Sequence, residues 1–150
     1  MKYNFLTRLL TLLLVAATLV ACSKDELDEA KDNLTGGSSR TWKVTSSKED
    51  GQELVGTDQL IEGESTFKKD GSYTFSQKLR LSSSLPVVTA TVNGEWVLED
   101  KGKILKTRSK KQDGTFSEYL TANVEELTGS ALRISSSSNG KNYVTIYTRK

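Results

Sequence analysis

Four sets of residues in this chain have the types and spacing that chemistry requires. Cys22, the only cysteine among 150 residues, could serve as a nucleophile, a metal ligand or an acylation site. Glu62 and Glu64, two apart in a β-patterned run, could form the carboxylate pair of an acid/base site. Asp70-Gly71 and Asp113-Gly114 could offer oxygen ligands to calcium. Lys106, Arg108 and Lys110, with Lys101, Lys103 and Lys111 close by, could gather an anionic glycan or headgroup. The chain has no histidine, which removes the usual general base and the commonest ligand of zinc and of histidine-bound haem.

Most of these sets have a simpler reading. Alternation places Glu62 and Glu64 opposite Ser65 and Phe67, on the wet face of their strand. The two Asp-Gly pairs lack the flanking spacing of a calcium loop and suit tight turns. The basic triplet, at period two, fits an outer face protected by charge better than an anion site. We therefore assign no catalytic residue, no metal and no cofactor, and read the protein as a non-enzyme.

Cys22 is different, because its neighbours specify its chemistry. Lys2 and Arg8 precede an apolar run from Leu9 to Val20, shorter than the roughly 20 residues a membrane-spanning helix needs. Leu19-Val20-Ala21-Cys22 resembles the lipobox of bacterial lipoproteins, which implies removal of residues 1–21 and diacylglyceryl modification of the thiol. A lipidated Cys22 is spent as a nucleophile, ligand or disulfide partner. Several acyl chains at about 0.8 kcal/mol per buried CH₂ make the anchor effectively permanent.

Ser23-Lys24-Asp25-Glu26 resembles the acidic export signal of Bacteroidota lipoproteins, which implies an outer-membrane, surface-exposed location. Ser23 and Glu26 also fit a capping box, with Leu27, Ala30 and Leu34 along one face of a short helix. Residues 22–40 read as an acidic tether and residues 41–150 as one folded domain. Loss of the signal removes Lys2 and Arg8, so basic and acidic side chains become equal in number. The pI of 8.6 for the whole chain therefore gives no reason to expect a nucleic-acid partner.

From Thr41 onward, short β-branched or aromatic runs alternate with Gly-containing breaks, and no helical period persists. Eight strands are expected, near residues 41–47, 60–68, 72–81, 87–98, 103–110, 116–126, 131–136 and 142–149. Val88, Ala90, Val92, Gly94, Trp96 and Leu98 share the face of one strand that points to a core. In the last strand Tyr143, Thr145 and Tyr147 compete with Val144 and Ile146 for the inside, and in the sixth Leu120, Ala122 and Val124 define one face. Eight strands joined by short hairpins predict an antiparallel up-and-down β-barrel, with a β-sandwich as the alternative.

Three runs carry a family resemblance: Arg40-Thr41-Trp42-Lys43-Val44, Ser65-Thr66-Phe67-Lys68-Lys69-Asp70-Gly71-Ser72-Tyr73, and Asn93-Gly94-Glu95-Trp96-Val97-Leu98. Together they resemble the lipocalin-like domain of Bacteroidota lipoproteins. Arg40 stands where lipocalins place a glycine, and no helix is expected after the last strand. The resemblance implies that Arg149 stacks on Trp42. It also implies a small apolar or amphipathic ligand inside the barrel, lined by Trp42, Val44, Phe67, Tyr73, Phe75, Val92, Trp96 and Leu120. Small residues Gly63, Ala90, Gly94 and Ala122 either leave that space free or accommodate large neighbours. A filled barrel acting as a structural or protein-interaction surface lipoprotein is the second expectation, its protein partner unknown.

Overall fold

The computed structural model describes residues 25–57, 60–80 and 84–150. Residues 1–21, Cys22, Ser23 and Lys24 lie outside the described residues, as does Leu81. A helix, α1, occupies residues 25–35. It is followed by β1 (Ser39–Glu49), the two-residue β2 (Gln52–Glu53), β3 (Glu62–Lys68), β4 (Ser72–Leu79) and β5 (Val88–Glu99). A short 3-10 turn at Asp100–Gly102 leads to β6 (Ile104–Ser109), β7 (Leu120–Leu127), β8 (Ala131–Ser138) and β9 (Lys141–Arg149).

Apart from β2, which hangs on the end of β1, each strand pairs with its neighbour in meander order, and β1 pairs with β9. The result is a closed, all-antiparallel, eight-stranded barrel of the lipocalin-like kind, with no sandwich edge. A register shift between Val44 and Ser46 in β1 lets Trp42, Val44 and then Ser47 all face inward. The ambiguity in β9 resolves with Tyr147 inside: its ring is buried and belongs to the core cluster.

Alternation decides what fills the barrel. Trp42, Val44, Phe67, Trp96, Leu98, Leu105, Leu132 and Tyr147 form a buried cluster with Leu34 of α1. Phe67 stacks on Tyr73 at 6.0 Å and meets Trp96 edge-on at 6.0 Å. Gly63 makes room for Val44, since a Cβ there would come within 2.9 Å of Val44 Cγ2. Gly94 makes room for the next strand, since its Cβ would lie 2.0 Å from the Arg108 carbonyl oxygen.

The segment read as a tether is part of the folded unit over residues 25–35, where the helical alternative holds. Leu34 is completely buried, and Leu27 and Ala30 pack beside it against the core. Trp42, also completely buried, donates its indole N–H to the Leu34 carbonyl at 2.8 Å, which satisfies a helix-end carbonyl. Arg40 donates to the Asn33 carbonyl and lays its guanidinium 5.6 Å from the Trp42 ring centre. This corrects the expectation for Arg149. Arg40 reaches both the helix end and the tryptophan, and so takes the stacking position expected for Arg149.

Asp100, Lys101 and Gly102 all have positive φ, at 46°, 57° and 87°. Here the backbone turns beneath α1, and a Cβ on Gly102 would meet the Ala30 Cβ at 2.4 Å. Glu26 pairs with Lys101 at 3.0 Å and Asp32 with Lys69 at 3.7 Å, tying α1 to two turns at one end of the barrel. α1 is thus the floor.

Candidate functional site

In a meander, successive turns alternate between the two ends of the barrel. The α1 end holds the β3–β4, β5–β6 and β7–β8 connections, so residues 84–87, 110–119 and 139–140 cluster at the other end. Between that end and the packed cluster lies a cavity of about 300 Å³, at the small end of the range for ligand pockets. Leu120, two-thirds exposed at 67%, stands at its mouth, while Ser65 at 4% and Tyr147 at 8% are its least exposed polar residues.

Of the residues expected to line a cavity, the structure places Phe67, Tyr73, Phe75, Val92 and Leu120 on its wall. Phe75 and Val92 face each other across β4 and β5, and Leu120 pairs with Thr107 across β6 and β7. Trp42, Val44 and Trp96 do not reach it. Trp42 is sealed beneath by α1, Val44 fills the space over Gly63, and Trp96 is held by donation to the Lys68 carbonyl at 2.9 Å. Three of the four small residues divide accordingly, and Ala90 does not line the cavity. Gly63 and Gly94 accommodate neighbours, whereas Ala122 lines the cavity.

Sequence reasoning missed much of the polar wall: Ser65, Thr107, Ser109, Ser136 and the phenol of Tyr147. The signal was present, because Leu105, Thr107 and Ser109 alternate with Lys106 and Arg108. It was overlooked because serines and threonines at inward positions read as strand filler. Burial pushes the Tyr147 phenol up to about 12, with a hydrogen bond to Ser65 working in the opposite direction. Tyr147 is therefore a neutral hydroxyl at any physiological pH. Tyr73 and Ser109 hydroxyls lie 3.5 Å apart, within weak hydrogen-bonding reach.

The remaining chemical candidates are accounted for by their partners. Glu62 pairs with Lys78 at 2.8 Å and Glu64 with Lys150 at 2.8 Å, so the two carboxylates serve separate cross-strand ion pairs. Lys78 holds the Glu62 carboxyl below its ordinary range. Asp70 accepts from the Ser72 amide at 2.9 Å and hydroxyl at 2.6 Å, and Asp113 does the same with Thr115 at 2.9 and 2.6 Å. Both are turn-forming carboxylates. Lys106 pairs with Glu99 at 2.7 Å and Arg108 with Glu95 at 2.5 Å. Arg108 also lies 4.4 Å from the Phe116 ring centre and 4.8 Å from that of Tyr119. Those contacts hold residues 116–119 against the barrel's outside, which is why the strand expected from 116 begins only at Leu120. Among the described residues, no group of three or more Cys, Asp or Glu gathers to hold a metal, and no helix is long and apolar enough to cross a membrane.

A closed eight-stranded meander with a plugged floor and an apolar bore defines the lipocalin-like fold. Among solved structures, the chain is similar to a lipocalin-like protein from Bacteroides uniformis ATCC 8492, with a TM-score of 0.51 at 18% identity, covering 79% of this chain and 99% of that one. It is also similar to japanin from Rhipicephalus appendiculatus, solved bound to cholesterol, with a TM-score of 0.52 at 7% identity over 73% of this chain and 74% of that one. No protein-family model and no curated protein matches the chain.

Proposed function

We propose that this protein binds a small apolar or amphipathic molecule inside its barrel, as a non-enzymatic lipoprotein anchored through Cys22 to the outer membrane and displayed at the cell surface. The observation that carries the binding role is the cavity of about 300 Å³ above a packed core, walled by Phe67, Phe75, Val92, Leu105 and Ile134. A filled barrel, the alternative, would need this space occupied by side chains. The cholesterol bound to japanin supports the reading by analogy of fold.

Native mass spectrometry of the purified protein is expected to show a co-purifying small molecule, and Ala122→Phe, which fills the wall, to abolish it. A ligand-free spectrum, together with no uptake of an apolar fluorophore, would overturn the binding role.

The anchor proposal rests on the lipobox and on the acidic residues behind it. Two residues, Ser23 and Lys24, separate Cys22 from the described start of α1 at residue 25, a reach of about 10 Å over three steps at roughly 3.3 Å per residue. An anchor there enters beside the floor, which supports a barrel standing with its mouth away from the bilayer. Cys22→Ser should release the protein from the membrane fraction, and proteinase treatment of intact cells should remove the domain. Full protection of the domain would count against surface display.

A further inference from the structure

Resting on the cavity's being a ligand site, we propose that it selects ligands with a neutral head carrying a hydroxyl or carbonyl oxygen, and discriminates against carboxylate and ammonium heads on the same apolar chain. Among the described residues, no Asp, Glu, Lys or Arg lines the cavity. The cations nearest in sequence, Lys106 and Arg108, alternate to the outer face of β6, where Glu99 and Glu95 hold them. The polar wall is made of the hydroxyls of Ser65, Tyr73, Thr107, Ser109, Ser136 and Tyr147.

A hydroxyl has one donor proton and two acceptor lone pairs. Each hydroxyl of the wall can therefore offer a ligand both a donor and acceptors, and Ser65 and Tyr147 are the most enclosed of them. An alcohol uses both kinds and a carbonyl uses the donor. A carboxylate or ammonium entering the same space sheds its hydration and finds no countercharge, and that burial penalty pushes it toward its neutral form. A fatty acid would therefore enter protonated, and its apparent affinity would fall as pH rises above the ordinary carboxyl range.

The test is displacement of pyrene, an apolar fluorophore without a polar atom, by decanol, decanoate and decylamine. At about pH 7.5 decanol is expected to displace pyrene at a concentration at least tenfold lower than either charged analogue, and decanoate to close the gap near pH 5. Thr107→Val and Tyr147→Phe keep the wall's shape and together should weaken decanol about tenfold more than they weaken pyrene. Thr107→Val alone provides the same comparison should the double variant be unstable. Equal displacement by decanoate and decanol at about pH 7.5 would overturn the proposal while the binding role stood. Undiminished decanol binding by either variant would do the same. Failure of pyrene itself to bind would remove the binding role and this proposal together.

Discussion

Single atoms decide much of this barrel. Gly94→Ala would drive a methyl to 2.0 Å from the Arg108 carbonyl and 2.5 Å from Tyr73 Cε1. Backbone on one side and a packed ring on the other leave it nowhere to go, so we expect a loss of about 3 kcal/mol in urea unfolding. The Tyr147 phenol gives a titration signature. Because its pKa rises from 10.0 to about 12 on folding, its stabilising contribution is complete below pH 10 and is lost as pH climbs toward 12. Ultraviolet titration should show a late-ionising tyrosine, missing in Tyr147→Phe. At this scale the sequence was only partly legible. Gly94 was recognised as a small inward residue, but whether it left room for a ligand or for the Arg108 backbone depended on strand stagger, which alternation does not encode. The hydroxyl wall was legible in position but not in role: alternation turns Ser65 and Thr107 inward, while their polar type gives no sign that they face a cavity.

Elements were more legible than their joints. The strand runs from Trp42, Tyr73 and Val88 were readable because apolar residues recur at period two and stop at Asx-Gly turns. The helix was readable only as an alternative, since Leu27, Ala30 and Leu34 look the same on a free tether as on a docked helix. What docks it is tertiary: the Trp42 indole, the Arg40 guanidinium and the bare Cα of Gly102. Leu34→Ala should therefore cost about 2–5 kcal/mol in thermal or urea unfolding, a size reserved for core positions rather than linkers. Arg40→Gly should destabilise the fold and raise proteolytic cleavage within residues 25–35, since it removes the bond to the Asn33 carbonyl and the stack on Trp42. The position of Phe116 and Tyr119 also escaped pattern reading, because their aromatic β-propensity is used on the outer surface by Arg108.

At the scale of the whole barrel, the described residues set paired charges on its outer surface, including Glu62–Lys78, Glu95–Arg108 and Glu125–Arg133. Hydrogen bonds to cationic or hydroxyl partners hold Glu53, Glu62, Asp70, Asp113 and Glu125 below their ordinary carboxylate range. Their stabilising contribution is present above that range and is lost as pH falls through the lowered values. These groups are exposed, so the loss should be shallow. Acid titration followed by circular dichroism should show no sharp transition until well below about pH 4.

The pairing of β1 with β9 has a consequence for how the molecule comes into being. Trp42 meets Arg149, and Glu49 meets Tyr143, across almost the full length of the domain. The barrel cannot close until its last strand has emerged, so folding is governed by a long-range contact formed late and should proceed slowly rather than strand by strand. Until then β1 and β8 are bare edges of a sheet that later has none, and a chain cut before Lys141 should aggregate instead of folding.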